Sequence, residues 1–120
     1  MAVSAPFREF LEDLLAGLGP IRIKAMFGGA GVYADELMFG LIADDVLYLR
    51  ADAETEAAFV EAGSEPFRYP TRDGEHLTMG YWRTPEDALD DPDAAVEWAR
   101  LALGAARRKQ ASKGAKKKRS

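Results

Sequence analysis

At Ile21 the spacing of apolar residues drops from the three-to-four of a helix to two, and that period persists to about Ala51. Ile21, Ile23, Ala25 and Phe27 fall on one side and Arg22, Lys24 and Met26 on the other, the alternation of a strand with one buried face. After the glycines of FGGAGVY (27–33) come GVYA, LMFGLIA and VLYLRA, separated by Asp35–Glu36 and Asp44–Asp45. This is a meander of four antiparallel strands with short acidic turns. Gly40, inside the third strand, marks a bulge or a close backbone contact.

The flanking segments have helical spacing. Phe7, Phe10, Leu11, Leu14, Leu15 and Leu18 form one apolar stripe, with Ser4 as N-cap and Pro6 in the first turn, and Gly17 to Pro20 end the helix. Asp52 opens a short helix over about 53–62, with Gly63 beyond its end. PFRYP (66–70) and HLTMGYWR (76–83) read as a hairpin around Asp73–Gly74. Thr84-Pro85-Glu86-Asp87 caps a helical turn, and Asp91-Pro92 opens a last helix to about Lys109, with Val96, Ala99, Ala102, Leu103 and Ala106 on one stripe. The order is helix, four-strand meander, helix, two-strand hairpin, C-terminal helices. Strands in runs give an α+β fold: an antiparallel sheet with its helices packed on one face.

A chain of 120 residues is one domain on length. Cysteine is absent and His76 is the sole histidine, which excludes thiolate and multi-histidine metal sites. With no apolar run of membrane length and no signal-peptide pattern, a soluble cytoplasmic protein with no membrane partner is expected. Charge is divided unevenly. Residues 1–106 hold all 20 acidic residues and 8 of the 16 basic ones, a net −12, whereas 107–120 hold eight basic residues and no acid. Lys, Ala, Ser and Gly dominate residues 110–120, so the folded domain is expected to span 1–109 and the remainder to be a disordered basic tail.

FGGAGVY invites a phosphate-loop reading, but neither a dinucleotide fingerprint nor a Gly-Lys-Ser/Thr ending follows. The continuation VYADELMFGLI is strand-like, so the glycines read as a corner between two strands. His76 beside Glu75 and near Asp73 lacks the nucleophile and orienting partner that catalysis requires, and Asp44–Asp45 and Asp90–Asp91 sit where turns and caps use aspartate. No catalytic, cofactor or metal residue is therefore assigned. The tail cations Arg107, Arg108, Lys109, Lys113, Lys116, Lys117, Lys118 and Arg119 suit non-specific contact with DNA phosphates, or contact with the chain's own acidic surface. Tyr69, Tyr81 and Trp82 on the last hairpin are candidates for a protein-partner surface.

Spaced blocks carry a resemblance: Met26-Phe27-Gly28-Gly29 with Gly31 and Tyr33, Phe39-Gly40-Leu41-Ile42, Leu47-Tyr48-Leu49, Pro66-Phe67 with Tyr69, and Met79 with Tyr81-Trp82 before Pro85. In this order, over about residues 7–107, they resemble the TfoX/Sxy N-terminal domain family. The resemblance makes Phe27, Gly28, Gly29, Gly31 and Tyr33 structural family marks. It implies a bacterial α+β domain similar in fold to small secretion-chaperone-like domains, with no established catalytic residues. Full-length members are competence regulators that act with the cyclic-AMP receptor protein and add a second, C-terminal helical domain. This chain ends fourteen residues past Ala106 and is expected to be a stand-alone domain. The reading is a non-enzymatic regulatory or protein-binding domain, with transcription regulation and weak DNA contact through the tail. The alternatives are a small-molecule-binding domain or enzyme with a pocket between sheet and helices, Tyr48, Tyr69, Tyr81 or His76 at its mouth, and a homodimer formed through a strand edge.

Overall fold

The computed structural model describes the backbone at residues 3–26, 29–71 and 74–119, and the side chains at those positions other than 26, 69–71, 74–79 and 112–119. Six strands form one sheet: β1 (Arg22–Met26), β2 (Gly29–Ala34), β3 (Leu37–Ala43), β4 (Val46–Arg50), β5 (Pro66–Thr71) and β6 (Gly74–Arg83). Their order is β1-β2-β3-β4-β6-β5, and every neighbouring pair is antiparallel. Meander and hairpin join where Tyr48, Leu49 and Arg50 face Arg83, Trp82 and Tyr81. The helices are α1 (Ala5–Leu14), α2 (Glu56–Glu61), α3 (Glu86–Leu89) and α4 (Pro92–Arg119).

The acidic turns are two-residue hairpin loops. Asp35 and Glu36 have φ of 50° and 65°, and Asp44 and Asp45 have 51° and 56°. Positive φ at both central residues is the type I′ geometry, whose twist matches that of the flanking strands. The bulge expected near Gly40 falls beside it: Val32 faces Gly40 and Tyr33 faces Met38, leaving Phe39 as the extra residue on β3. A bulge of this kind turns two successive residues toward one face, and there is room for one side chain. Phe39 takes it, fully buried, while a Cβ on Gly40 would lie 3.2 Å from Leu47 Cδ1 and 3.3 Å from Val32 Cβ. At Gly29, a Cβ would meet the carbonyl oxygen of Ile42.

One face of the sheet carries the core. Leu11, Leu15, Val32, Phe39, Ile42, Leu49 and Phe59 are each at most 1% exposed, and α4 lies across β3 and β4 with α1 beside it. Phe59 joins α2 to this layer, its ring centroid 4.7 Å from Trp98 and 6.3 Å from Trp82. The opposite face presents Tyr33, Met38, Leu41 and Tyr48, half-buried and on the register positions that alternate with the core residues. Among the described residues no helix is long and apolar enough to cross a membrane.

The caps explain the helix starts. Ser4 Oγ accepts from the Phe7 N–H at 3.2 Å, and the Ser4 N–H donates to Asp45 Oδ1 at 3.0 Å, latching the start of α1 to the β3–β4 turn. Asp91 Oδ1 accepts from the N–H groups of Asp93 and Ala94 at the start of α4. Asp52 is not the cap of α2: it accepts from the Glu54 N–H in the turn before the helix, its own N–H donates to Thr55 Oγ1, and Thr55 occupies the cap position. The first turn after Asp52 is tight, so regular helix begins at Glu56 rather than Ala53. Thr84 is not a cap: its hydroxyl donates to the Leu47 carbonyl at 2.9 Å, and Pro85 occupies the cap position of α3. The largest difference from the sequence reading is the end of α4, which runs to Arg119 and not to about Lys109. Past Ala106 the apolar stripe stops, but the helix-favouring Arg, Lys, Gln and Ala outnumber Ser112 and Gly114, and no proline interrupts the segment. The helical backbone therefore continues through residues 110–119, where a disordered tail is expected from composition.

Candidate functional site

The charged residues converge where α4 passes the end of β4. The strand delivers Arg50, the link to α2 delivers Asp52 and Glu54, and the last buried turn of α4, Leu103 to Ala106, fixes Arg107, Arg108 and Lys109 beside them. Arg108 meets Asp52 fork to fork, Nε 2.6 Å from Oδ2 and Nη2 3.0 Å from Oδ1, and its Nε is also 2.9 Å from Glu54 Oε2. Paired hydrogen bonds of this kind fix orientation as well as charge. The Arg108 hydrogen bonds hold the Asp52 carboxyl below the usual carboxylate range against the opposing effect of burial, and Asp52 in turn raises Arg108. Arg107 makes a longer, exposed pair with Asp35, Nη2 to Oδ2 at 3.7 Å. Two of the eight basic residues expected to reach DNA are thus engaged by the acidic body.

Arg50 has a different environment. Its Nη1 donates to the Tyr81 hydroxyl at 3.1 Å, and its Cζ stands 5.2 Å from the centre of the Tyr81 ring. It has no carboxylate partner among the described residues. Arg50, Gly80, Ala105 and Lys109, with the Arg108–Asp52 pair, line a groove of about 460 Å³. Another groove, of about 420 Å³, runs along Lys24, Tyr33 and Asp35.

A family model, the TfoX N-terminal domain, matches residues 13–106. The chain belongs to that family. Over 61 residues this TfoX N-terminal domain is 36% identical to the DNA transformation protein TfoX1 of Aliivibrio fischeri, a match covering 51% of the chain and 29% of that protein. Over 107 residues it is 24% identical to Protein Sxy of Escherichia coli, covering 89% of the chain and 51% of that protein. The chain therefore spans about half the length, or less, of these curated relatives, and neither is named as an enzyme.

Within the TfoX N-terminal domain, the family marks divide. Phe27 and Gly28 lie outside the described residues. Gly31 is buried in β2 between Lys24 and Leu41, and Tyr33 has the Lys24 ammonium 5.3 Å from its ring centre. The strand continues past Gly31, so no helix N-terminus opens there. Of the aromatic partner surface, Tyr81 is 8% exposed beneath Arg50, and Trp82 is half-buried against the core, with its indole Nε1 buried and unbonded among the described residues. Neither ring is freely exposed, Tyr81 being covered by Arg50 and Trp82 packed on the core. The side chains of Tyr69 and His76, and of Lys113, Lys116, Lys117, Lys118 and Arg119, lie outside the described set. Tyr48 packs on Phe67, ring centres 4.7 Å apart. No group of three or more metal-ligating side chains is found among the described residues. Arg50, Asp52 and Glu54 went unread as a group with Arg108, because Asp52 and Arg108 are 56 positions apart and no local spacing links them.

Proposed function

We propose that this TfoX N-terminal domain is a non-enzymatic, cytoplasmic regulatory module. It contacts a protein partner through the helix-free face of its sheet and strengthens an encounter with DNA through the basic end of α4. Family membership carries the reading, together with the name of one relative, a DNA transformation protein. The half-buried row Tyr33, Met38, Leu41 and Tyr48 supports the partner face, since among the described residues it lies on the sheet face opposite the core that the helices pack against. The basic end supports the DNA contact. A net −12 body repels phosphates, and cations carried beyond it on a helical segment act at a distance from that repulsion. The partner would confer promoter choice, because phosphate contacts carry no sequence information.

The test is a salt titration of binding to a short duplex, comparing the whole chain with one truncated after Gln110. The cut is placed there because a shorter chain would also lose the ion pairs of Arg107 and Arg108. Each phosphate contact steepens log affinity against log salt by about 0.9 on B-DNA, so losing five cations should flatten the slope by up to about 4 to 5. An unchanged slope would remove the basic end from the mechanism.

A further inference from the structure

We infer that the groove between β4 and α4 is a phosphate-binding site, with Arg50 and Lys109 as its ligands. A guanidinium has five N–H donors, and among the described residues Arg50 commits one of them, to the Tyr81 hydroxyl. In so acidic a chain the obvious counter-charges are Asp52 and Glu54, on the same groove, yet both turn to Arg108. Arg50 is left charged, held on an aromatic ring, and without a carboxylate among the described residues. Gly80 keeps its approach open: a Cβ there would stand 3.8 Å from Cζ and from both Nη atoms. Across the groove Lys109 brings a second cation with no ion pair among the described residues, at a position set by the Arg108–Asp52 clamp one residue earlier. The groove thus carries a surplus positive charge within a negative body, and a planar fork opposite a point charge suits a tetrahedral oxyanion. Its volume of about 460 Å³ is ample for a phosphate with its ester group attached.

A phosphate of this kind arrives either on a small phosphoester or on a nucleic-acid backbone, and the site does not depend on the DNA reading. The experiment is a titration of the isotope-labelled whole chain with inorganic phosphate at low ionic strength. Saturable amide shifts are expected at Arg50, Ala51, Gly80 and Lys109. Arg50→Gln should weaken the affinity about tenfold or more and Lys109→Gln severalfold, while Arg100→Gln, on an exposed turn of α4 outside the groove, leaves it unchanged. Lys109 is exposed, so its variant keeps the test valid even if Arg50→Gln fails to fold. The same variants are then titrated with the duplex used above. Loss of affinity for inorganic phosphate alone identifies a small phosphoester as the source, and parallel loss for duplex identifies a backbone phosphate. Absence of saturable shifts, or affinity unchanged by Lys109→Gln, overturns the site.

Discussion

From Pro92 to Ala106, helix α4 is held by what it touches; from Arg107 to Arg119, the same helix continues after its apolar stripe has ended. In the first part Ala95, Ala99, Ala102, Ala105 and Ala106 are nearly inaccessible, and small side chains let the helix lie close on β3 and β4. In the second part intrinsic propensity acts without an apolar face, and the crowding of lysines and arginines opposes it at a few tenths of a kcal/mol per like-charge pair. The Arg107–Asp35 and Arg108–Asp52 pairs sit at the junction. The contrast separates two properties that are easily equated: where a helix ends, and where its packing ends.

The largest effect should come from the packed half. Phe59 is fully buried against Trp98, so Phe59→Ala is expected to destabilise the domain by about 3–5 kcal/mol in denaturant unfolding. If the two halves are independent, helical signal from the basic end should survive that unfolding no better than an isolated peptide of its sequence. At the junction, Gly104 is a helix-interior glycine whose added Cβ would meet only Arg108 Nη1, at 3.5 Å, the movable end of a side chain. Gly104→Ala should therefore stabilise by about 1 kcal/mol, read as a rise in melting temperature. A loss of stability would mean that the space is needed and that the halves are coupled through Arg108.

The smallest effect concerns pH. Because Arg108 lowers the Asp52 pKa in the folded state, this carboxylate contributes stability above its unfolded pKa of about 4 and loses it as pH falls through the folded value. Arg108→Gln should flatten the acid limb of stability below about pH 4 and leave the neutral-to-basic range without a new transition. An identical acid limb in both proteins would show that the pair does not form in solution.

Much of this architecture was legible because its signals are local. The period of two from Ile21 onward, the paired acids at 35–36 and 44–45, and the Ser4 and Asp91 caps each act within a few residues, and the structure places the elements accordingly. Thr84 misled because capping and a long-range bond to Leu47 call for the same hydroxyl. The surroundings of Tyr81 and Trp82 come from Arg50 and Phe59, far along the chain, and neither contact is written in the hairpin itself. The groove was invisible for the same reason. Its charges come from β4, the β4–α2 link and the far end of α4, and only the closed sheet brings them within reach.

The glycines of the meander imply an inverted pattern of mutational tolerance. Its two acidic turns hold four residues at positive φ, the conformation in which glycine is least strained. Its strands hold Gly29 and Gly40 where any side chain would strike Ile42 or crowd Val32 and Leu47. Sequence drift can therefore add glycine to the turns at little cost to the fold, but it cannot remove these two glycines from the strands without moving their neighbours.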